Sequence, residues 1–153
     1  MTDDVDIIER TVEINAPAER VWDLVAEPGW DINDGAIVAH RIDRDGDLSY
    51  VHDEKHGRFA FATVSLDRPR YAAFRWLDNP DAADSASTLV EFTITALAAD
   101  SVTLTVVESG FASLPGSALD RRRRWEENTE GWTLELGLAR GLLEQHSVAV
   151  PVS

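Results

Sequence analysis

The feature that most constrains this fold is a helical segment near the end of the sequence, roughly Leu119 to His146. It carries large apolar side chains around more than half of its circumference: Trp125, Trp132, Leu134, Leu136, Leu138, Leu142 and Leu143. A helix on the surface of a globular protein needs only one apolar stripe. We therefore predict that other elements wrap around this helix, and that uneven contact with them leaves a hydrophobic cavity.

The preceding sequence is typical of short strands separated by turns. Residues 7–14 alternate between apolar and polar side chains, as expected of a half-buried strand. Pro17 then suits the first turn of a short helix, and a second short turn or helix is expected at Trp30 to Gly35. Turn signals separate six further predicted strands, at residues 36–43, 48–53, 58–67, 71–77, 88–98 and 102–110.

Consecutive hairpins of this kind form an antiparallel meander, so the sequence predicts an α+β fold. We expect a curved antiparallel sheet of about seven strands around the long C-terminal helix, with two short helices after strand one. Ser117 to Asp120 matches a capping box at the start of the long helix. Gly131, Gly137 and Gly141 each cost that helix about 1 kcal/mol relative to Ala, which suggests either a closely approaching strand or space left for a ligand.

Charge and composition exclude several classes of function. The chain of 153 residues has a formal net charge of -14, which repels phosphate backbones and anionic lipid heads, so neither nucleic acid nor a membrane is an expected partner. The absence of cysteine excludes disulfides, thiolate nucleophiles and Cys-type zinc sites. Because residues 1–6 are acidic, we expect no signal peptide. These features predict a single domain over residues 1–153 in the cytoplasm, without a cofactor.

Strand parity predicts which side chains line the interior. Phe74 and Trp76 share one face of their strand, and Phe92 lies on the apolar face of the next strand. On the last strand, Glu108 continues an apolar row formed by alternate residues from Val102. A buried Glu108 would orient a polar ligand group or act as an acid or base, whereas at the rim of the sheet it would be solvated or paired with an arginine.

The histidines have two interpretations. His40 lies on the face of Val38 and Ile42, and His52 follows Tyr50 in parity, so each either lines the cavity or is a hydrogen-bonded core residue. The segment from His52 to His56 runs through a predicted hairpin, where residues four apart do not share a helical face. We therefore expect no metal site there.

Two tryptophans of the long helix, Trp125 and Trp132, are seven residues apart and so fall on one face, which Leu136 continues. Trp30 follows the break after the first helix and is expected at the mouth of the cavity. The predicted ligand-binding residues are Trp30, His40, Tyr50, His52, Phe74, Trp76, Phe92, Glu108, Trp125, Trp132 and Leu136. Because no nucleophile or phosphate-binding motif is present, catalysis would depend on Glu108 or a histidine.

Several segments resemble a known superfamily. Residues 14–22 (INAPAERVW) are similar to the opening signature of the START-like (SRPBCC) superfamily. Residues 71–76 (YAAFRW), residues 106–111 (VVESGF) with Leu114-Pro115, and Asn128 with Gly131-Trp132 resemble its branch named for the activator of Hsp90 ATPase. The resemblance implies the helix-grip fold, in which a curved sheet grips a long C-terminal helix.

The resemblance also implies a range of functions. Members of the superfamily bind lipids, sterols, plant hormones or polyketides, and a few catalyse cyclisation. Our preferred hypothesis is non-enzymatic binding of a small hydrophobic or aromatic molecule between the sheet and the C-terminal helix. The alternatives are a protein-interaction or chaperone-cofactor module, with a chaperone or a second copy as partner, and a cyclase- or hydrolase-like enzyme that uses Glu108.

Overall fold

A computed structural model describes residues 6–82 and 84–148, within which the chain forms seven strands and two α-helices. In chain order these are β1 (Ile7–Ile14), α1 (Ala18–Val25), β2 (Arg41–Asp45), β3 (Leu48–Asp53), β4 (Gly57–Asp67), β5 (Tyr71–Leu77), β6 (Ser87–Ala98), β7 (Ser101–Ser109) and α2 (Ala118–Val148). The predicted α+β fold, a curved antiparallel sheet with a long C-terminal helix, is confirmed. Residues 1–5 and 149–153 of the predicted domain lie outside the described residues.

The seven strands form one antiparallel sheet in the order β1-β7-β6-β5-β4-β3-β2. Strands β2 to β7 form a simple meander, and β1, the first strand, pairs with β7, the last. The register sets Phe92 opposite Val106 and Val90 opposite Glu108, so these alternate side chains share one face of the sheet. This inner face carries most of the buried apolar residues and receives α2.

The helix α2 lies along β1 and runs in the same direction. Near its start the indole Nε1–H of Trp125 donates a 3.0 Å hydrogen bond to the Ile7 carbonyl, and near its end Glu144 accepts a 2.9 Å bond from the Asn15 backbone N–H. Its buried side chains form one stripe: Trp132, Leu136, Ala139 and Leu143. Leu134 is 68% exposed, so the sheet covers one face of α2 and not more than half of its circumference.

The capping box predicted at the start of α2 is confirmed, whereas the close strand contact considered for its glycines is not. The predicted capping box is present, because the Asp120 N–H donates to Ser117 Oγ and the Ser117 N–H donates to Asp120 Oδ2. A Cβ added at Gly131, Gly137 or Gly141 would meet no atom within 4 Å. Close approach of a strand, one of the two reasons considered for these glycines, is therefore wrong, and each glycine borders open space.

Two local predictions also differ from the structure. The predicted strand at residues 36–43 begins only at Arg41 in the structure, and the residues before it are irregular. Arg41 pairs with His52, and β3 ends at the next residue, Asp53. The residues before Arg41 therefore have almost no strand beside them to pair with. One short helix follows β1 where two were expected, and residues 26–31 form turns. Gly29 lies there at φ +82°, a left-handed conformation that does not continue a helix.

Candidate functional site

The site is built around a buried carboxylate at the end of β7. Glu108 is 1% exposed and continues the apolar row on the inner face. Its Oε1 accepts hydrogen bonds from Trp132 Nε1–H at 2.8 Å and from Asn128 Nδ2–H at 3.1 Å, and its Oε2 accepts one from the Thr88 hydroxyl at 2.6 Å. All three donors are neutral, so Glu108 lies neither in water nor against an arginine. Because Asn128 and Trp132 are four residues apart, one carboxylate fixes both on the same face of α2.

Aromatic rings fill most of the space between the sheet and α2. The ring centroid of Phe92 lies 5.7 Å from those of both Trp30 and Trp132, and the two indoles are 6.4 Å apart. The loop before Asn33 places Trp30 inside, because Gly29 brings the chain so close to Val51 that an added Cβ would lie 2.7 Å from it. Trp30 is therefore a core residue that is 3% exposed, and not a residue of the cavity mouth.

This packing leaves only a small void in the interior. Its volume is about 10 Å³, and Trp30, Phe74, Trp76 and Phe92 are among its lining residues. Such a space is close to that of one water molecule. The indole Nε1–H of Trp30 is buried and has no hydrogen-bond acceptor among the described residues. The void beside these rings is therefore far smaller than the hydrophobic cavity that the sequence predicts.

A second space, which we call the cleft, lies between α2, β5 and the loop that follows α1. It has a volume of about 110 Å³ and is lined by Asp31, Trp76, Glu127, Asn128, Gly131, Trp132 and Glu135. Five of these residues belong to α2. The last four of them, Asn128, Gly131, Trp132 and Glu135, have the i, i+3, i+4, i+7 spacing of one helix face. Gly131 has no side chain there, which keeps the cleft open.

Two carboxyl groups of the cleft have perturbed acidity. Burial is the main cause that raises the pKa of Asp31 to about 8. A hydrogen bond from its own backbone opposes the rise, and the nearby charges of Glu135 and Glu108 add smaller increases. Burial also raises the pKa of Glu135, although a hydrogen bond from Asn33 opposes the change. At neutral pH the Asp31 carboxyl is therefore mostly protonated.

Asn33 holds the loop against α2. Its Nδ2 group donates to the Trp30 carbonyl and to Glu135 Oε1, both at 2.7 Å, and its Oδ1 accepts the Val38 N–H at 3.0 Å. These contacts fix Asp31 opposite Glu135 across the cleft. They also connect the loop directly to the helix face that carries Asn128 and Trp132.

The cleft continues into a groove on the surface of the protein. The groove has a volume of about 650 Å³ and shares Trp76, Glu127 and Asn128 with the cleft. Phe59 and Phe61 pack against the Trp76 ring, with centroid distances of 6.0 and 4.9 Å. Trp76 is thus a fixed aromatic wall at the junction of the cleft and the groove.

The structure brings together six of the predicted site residues. Trp30, Phe74, Trp76, Phe92, Glu108 and Trp132 all lie at the void, at the cleft or directly beneath them. Leu136 is a buried core residue, and Trp125 is half-buried where it bonds to the Ile7 carbonyl. Neither is among the residues that line the cleft.

Three predicted residues lie elsewhere. Tyr50 and His52 are on the face of β3 opposite to the buried Ser49 and Val51, so they do not face the interior. His52 contacts Asp43 at 2.8 Å. His40 bonds Asp53 at 2.9 Å beside a separate surface pocket of about 710 Å³ near β2 and β3.

Three cleft residues, Asp31, Glu127 and Glu135, were not predicted from the sequence, and neither was Asn33, which holds the loop against Glu135. The available signal was the spacing of Asn128, Gly131 and Glu135 on one face of the long helix. Among the described residues, no group of three or more His, Asp or Glu side chains has the arrangement of a metal site. No described helix is both long enough and apolar enough to cross a bilayer.

Comparisons with known proteins agree on the fold. No protein-family model matches the sequence, and no curated protein matches it. The structure is similar to the Aha1 dimer from Colwellia psychrerythraea, with a TM-score of 0.64 and 15% identity over 90% of this chain and 96% of that chain. It is also similar to the Zhui aromatase/cyclase from Streptomyces sp. R1128, with a TM-score of 0.63 and 21% identity over 94% of this chain and 96% of that chain.

A protein from Mesorhizobium loti gives a further match, with a TM-score of 0.63 and 18% identity over 90% of this chain and 97% of that chain. At these identities the similarity concerns the fold alone. It agrees with the fold that the START-like resemblance implies and does not confirm the branch named for the Hsp90 activator. The chain has the helix-grip fold that these proteins share.

Proposed function

We propose that the protein binds a small molecule with an apolar or aromatic part in the cleft, without catalysing a reaction on it, as a member of the START-like superfamily. The observation that carries this proposal is the opening of the cleft beside two indole rings, those of Trp76 and Trp132. Aromatic walls with a few fixed polar groups are typical of small-molecule sites. Here Asn128 and the carboxyl groups of Asp31 and Glu135 are the polar groups.

The size of the cleft limits what it holds. Sites for drug-sized ligands are about 300–1,000 Å³, and the cleft has about 110 Å³. The adjoining groove of about 650 Å³ supplies the missing space. We therefore expect the ligand to insert one ring or a short group between Trp76 and α2 and to place the remainder in the groove.

The arrangement of Glu108 favours binding over catalysis by this residue. Both of its oxygens accept hydrogen bonds, and two of the three donors, Asn128 and Trp132, line the cleft. Glu108 therefore acts as a positioning residue that fixes the orientation of the cleft wall. A chaperone-cofactor role and a homodimer, which the resemblance to the Hsp90-activator branch implies, stay predictions from the sequence.

A pair of variants of α2 tests the proposal. Gly131→Leu fills the cleft, whereas Gly137→Leu adds the same side chain to the same helix outside it, and neither new Cβ meets an atom within 4 Å. Both changes replace glycine by a better helix former, so both variants should fold. We expect aromatic small molecules to raise the melting temperature of the wild type and of Gly137→Leu, and not that of Gly131→Leu.

A ligand at 100 times its dissociation constant should add about 2.7 kcal/mol to the free energy of unfolding, which a thermal scan resolves easily. Equal stabilisation of both variants would place binding outside the cleft. A panel of aromatic compounds with no effect on the wild type would also reject the proposal.

A further inference from the structure

The charge of the cleft is one-sided. Three carboxyl side chains, those of Asp31, Glu127 and Glu135, are among its seven lining residues, and none of those seven is Lys, Arg or His. Glu108 lies directly behind Asn128 and Trp132. The whole chain carries a formal net charge of -14, which adds to the negative potential at this point.

Among the residues that the structure describes, no cationic side chain is paired with these carboxyl groups. The donors to Glu108 are a hydroxyl, an amide and an indole, and the donor to Glu135 is the Asn33 amide. Of the basic side chains that line the groove, the two arginines are paired with other carboxylates, because Arg124 bonds Asp78 at 3.1 Å and Arg58 pairs with Asp81. Burial, and to a smaller extent the charges of Glu135 and Glu108, raise the pKa of Asp31 and keep it protonated at neutral pH, and a cation bound beside it would favour its ionised form.

Two other features at the cleft indicate a bound molecule. Trp76 and Trp132 line the same cleft as the carboxyl groups, and an indole face is the aromatic surface that binds cations best. The void that shares Asp31 and Trp76 with the cleft is lined by Trp30, whose buried Nε1–H has no acceptor. A buried N–H of this kind is satisfied by a water molecule or by an oxygen on the body of a ligand, and not by an ammonium group, which only donates.

We infer that the ligand of the cleft carries a positively charged nitrogen, an ammonium group attached to an apolar or aromatic body. The inference rests on the proposed function and specifies its ligand class. The ammonium group lies between the carboxyl groups of Asp31 and Glu135 and against the indole of Trp76 or Trp132, and the apolar body extends into the groove. Such a ligand supplies the countercharge that the chain itself does not place there.

Three probes of similar shape and different charge test this inference: 2-phenylethylammonium, 2-phenylethanol and 3-phenylpropanoate. Binding is measured at pH 7 by tryptophan fluorescence and calorimetry. We expect the ammonium probe to bind at least about tenfold more tightly than the alcohol, and the carboxylate to bind more weakly than both. Equal or tighter binding of the alcohol or the carboxylate overturns the inference and leaves the proposed function intact. If none of the three binds, the proposed function fails with it.

Variants separate the cleft from general attraction to an acidic protein. Glu135→Gln keeps the acceptor for Asn33 and removes the charge, so the ammonium probe should bind several-fold more weakly while the alcohol is unaffected. Glu130→Gln removes one charge from an exposed residue of the same helix that does not line the cleft, and it should change neither probe. A preference for the ammonium probe that persists unchanged in Gly131→Leu, or that Glu130→Gln lowers as much as Glu135→Gln does, overturns the inference.

Discussion

The indole Nε1–H of Trp132 donates a 2.8 Å hydrogen bond to Oε1 of Glu108, and both residues are buried. This bond joins the end of the last strand to the middle of the long helix at the floor of the cleft. Together with the bonds from Asn128 and Thr88, it gives a buried carboxylate a complete set of neutral donors. The packing of α2 on the sheet and the orientation of the cleft wall thus depend on the same group.

Glu108→Gln should destabilise the protein. The amide oxygen keeps the bonds from Trp132 and Asn128, but the amide NH2 group replaces the oxygen that accepts the Thr88 hydroxyl. The Thr88 hydroxyl then turns to accept and its own proton loses its acceptor, and an unsatisfied buried polar group costs about 1–3 kcal/mol. The measurement is urea unfolding of the variant beside Glu13→Gln, which changes an exposed residue of β1 and should be neutral. If Glu108→Gln is as stable as the wild type, the hydrogen-bond set described for Glu108 is wrong.

Gly29→Ala should also destabilise the protein, for a different reason. The new Cβ would lie 2.7 Å from Val51 Cγ1 in a residue held at φ +82°, so strain and a clash act together. Gly35→Ala is the matched control, because Gly35 has φ +95° and open space around its Cβ position. We expect Gly35→Ala to cost about 1 kcal/mol and Gly29→Ala to cost clearly more, by chemical denaturation. Equal costs would show that the loop does not press on β3.

Gly137→Ala and Gly141→Ala should stabilise the protein. Neither added Cβ meets another atom, and alanine in a helix is favoured over glycine by about 0.5–1 kcal/mol. Thermal unfolding of the two variants, alone and combined, measures the gain. A loss of stability in either variant would indicate that a close neighbour contacts this face of α2.

The raised pKa of Asp31 predicts a pH dependence of stability. The folded state holds a proton up to about pH 8, whereas an unfolded aspartate loses it near pH 3.9. The contribution of Asp31 is therefore complete below pH 4 and is lost as the pH rises towards 8, by up to about 1.4 kcal/mol per pH unit. The other carboxyl groups that act on Asp31 are Glu135 and Glu108, and Glu127 lines the same cleft.

Urea unfolding from pH 4.5 to 8.5 measures this effect as the difference between the wild type and Asp31→Asn. The wild type should lose stability relative to the variant as the pH rises, and the difference should level off above about pH 8. A difference that does not change over this range would mean that Asp31 ionises normally in the folded protein.

The alternation in β7 predicted from sequence that Glu108 continues a buried apolar row, and the structure has it there. The same reasoning misassigned β3, because the buried residue that precedes Val51 is Ser49, whose small polar side chain hides the period of two. Tyr50 and His52 were therefore predicted on the inner face of β3, whereas they lie on its outer face. Parity is thus informative where every inward residue is large and apolar, and it fails where one is small and polar.

The volume of the interior was beyond the reach of the sequence. It depends on whether Trp30 turns outward or inward, and that is decided by the contact of Gly29 with Val51, which is distant in the chain. Asp31 and Asn33 belong to the site for the same reason, because they follow Trp30 into the space beside α2. Periodicity contains no information on such an irregular loop, whereas it identified α2 and most of the strands.

The most direct test of the account uses the five indole N–H signals in a nitrogen-proton correlation spectrum, one for each tryptophan of the chain. An aromatic ligand is titrated into the protein, and the signals are assigned by single Trp→Phe variants. If the ligand binds in the cleft, the Trp76 and Trp132 signals shift with one common dissociation constant. The Trp22 signal does not move, because its Nε1–H is bonded to the Tyr71 carbonyl away from the cleft. Shifts at Trp22 without shifts at Trp76 and Trp132 would contradict the account.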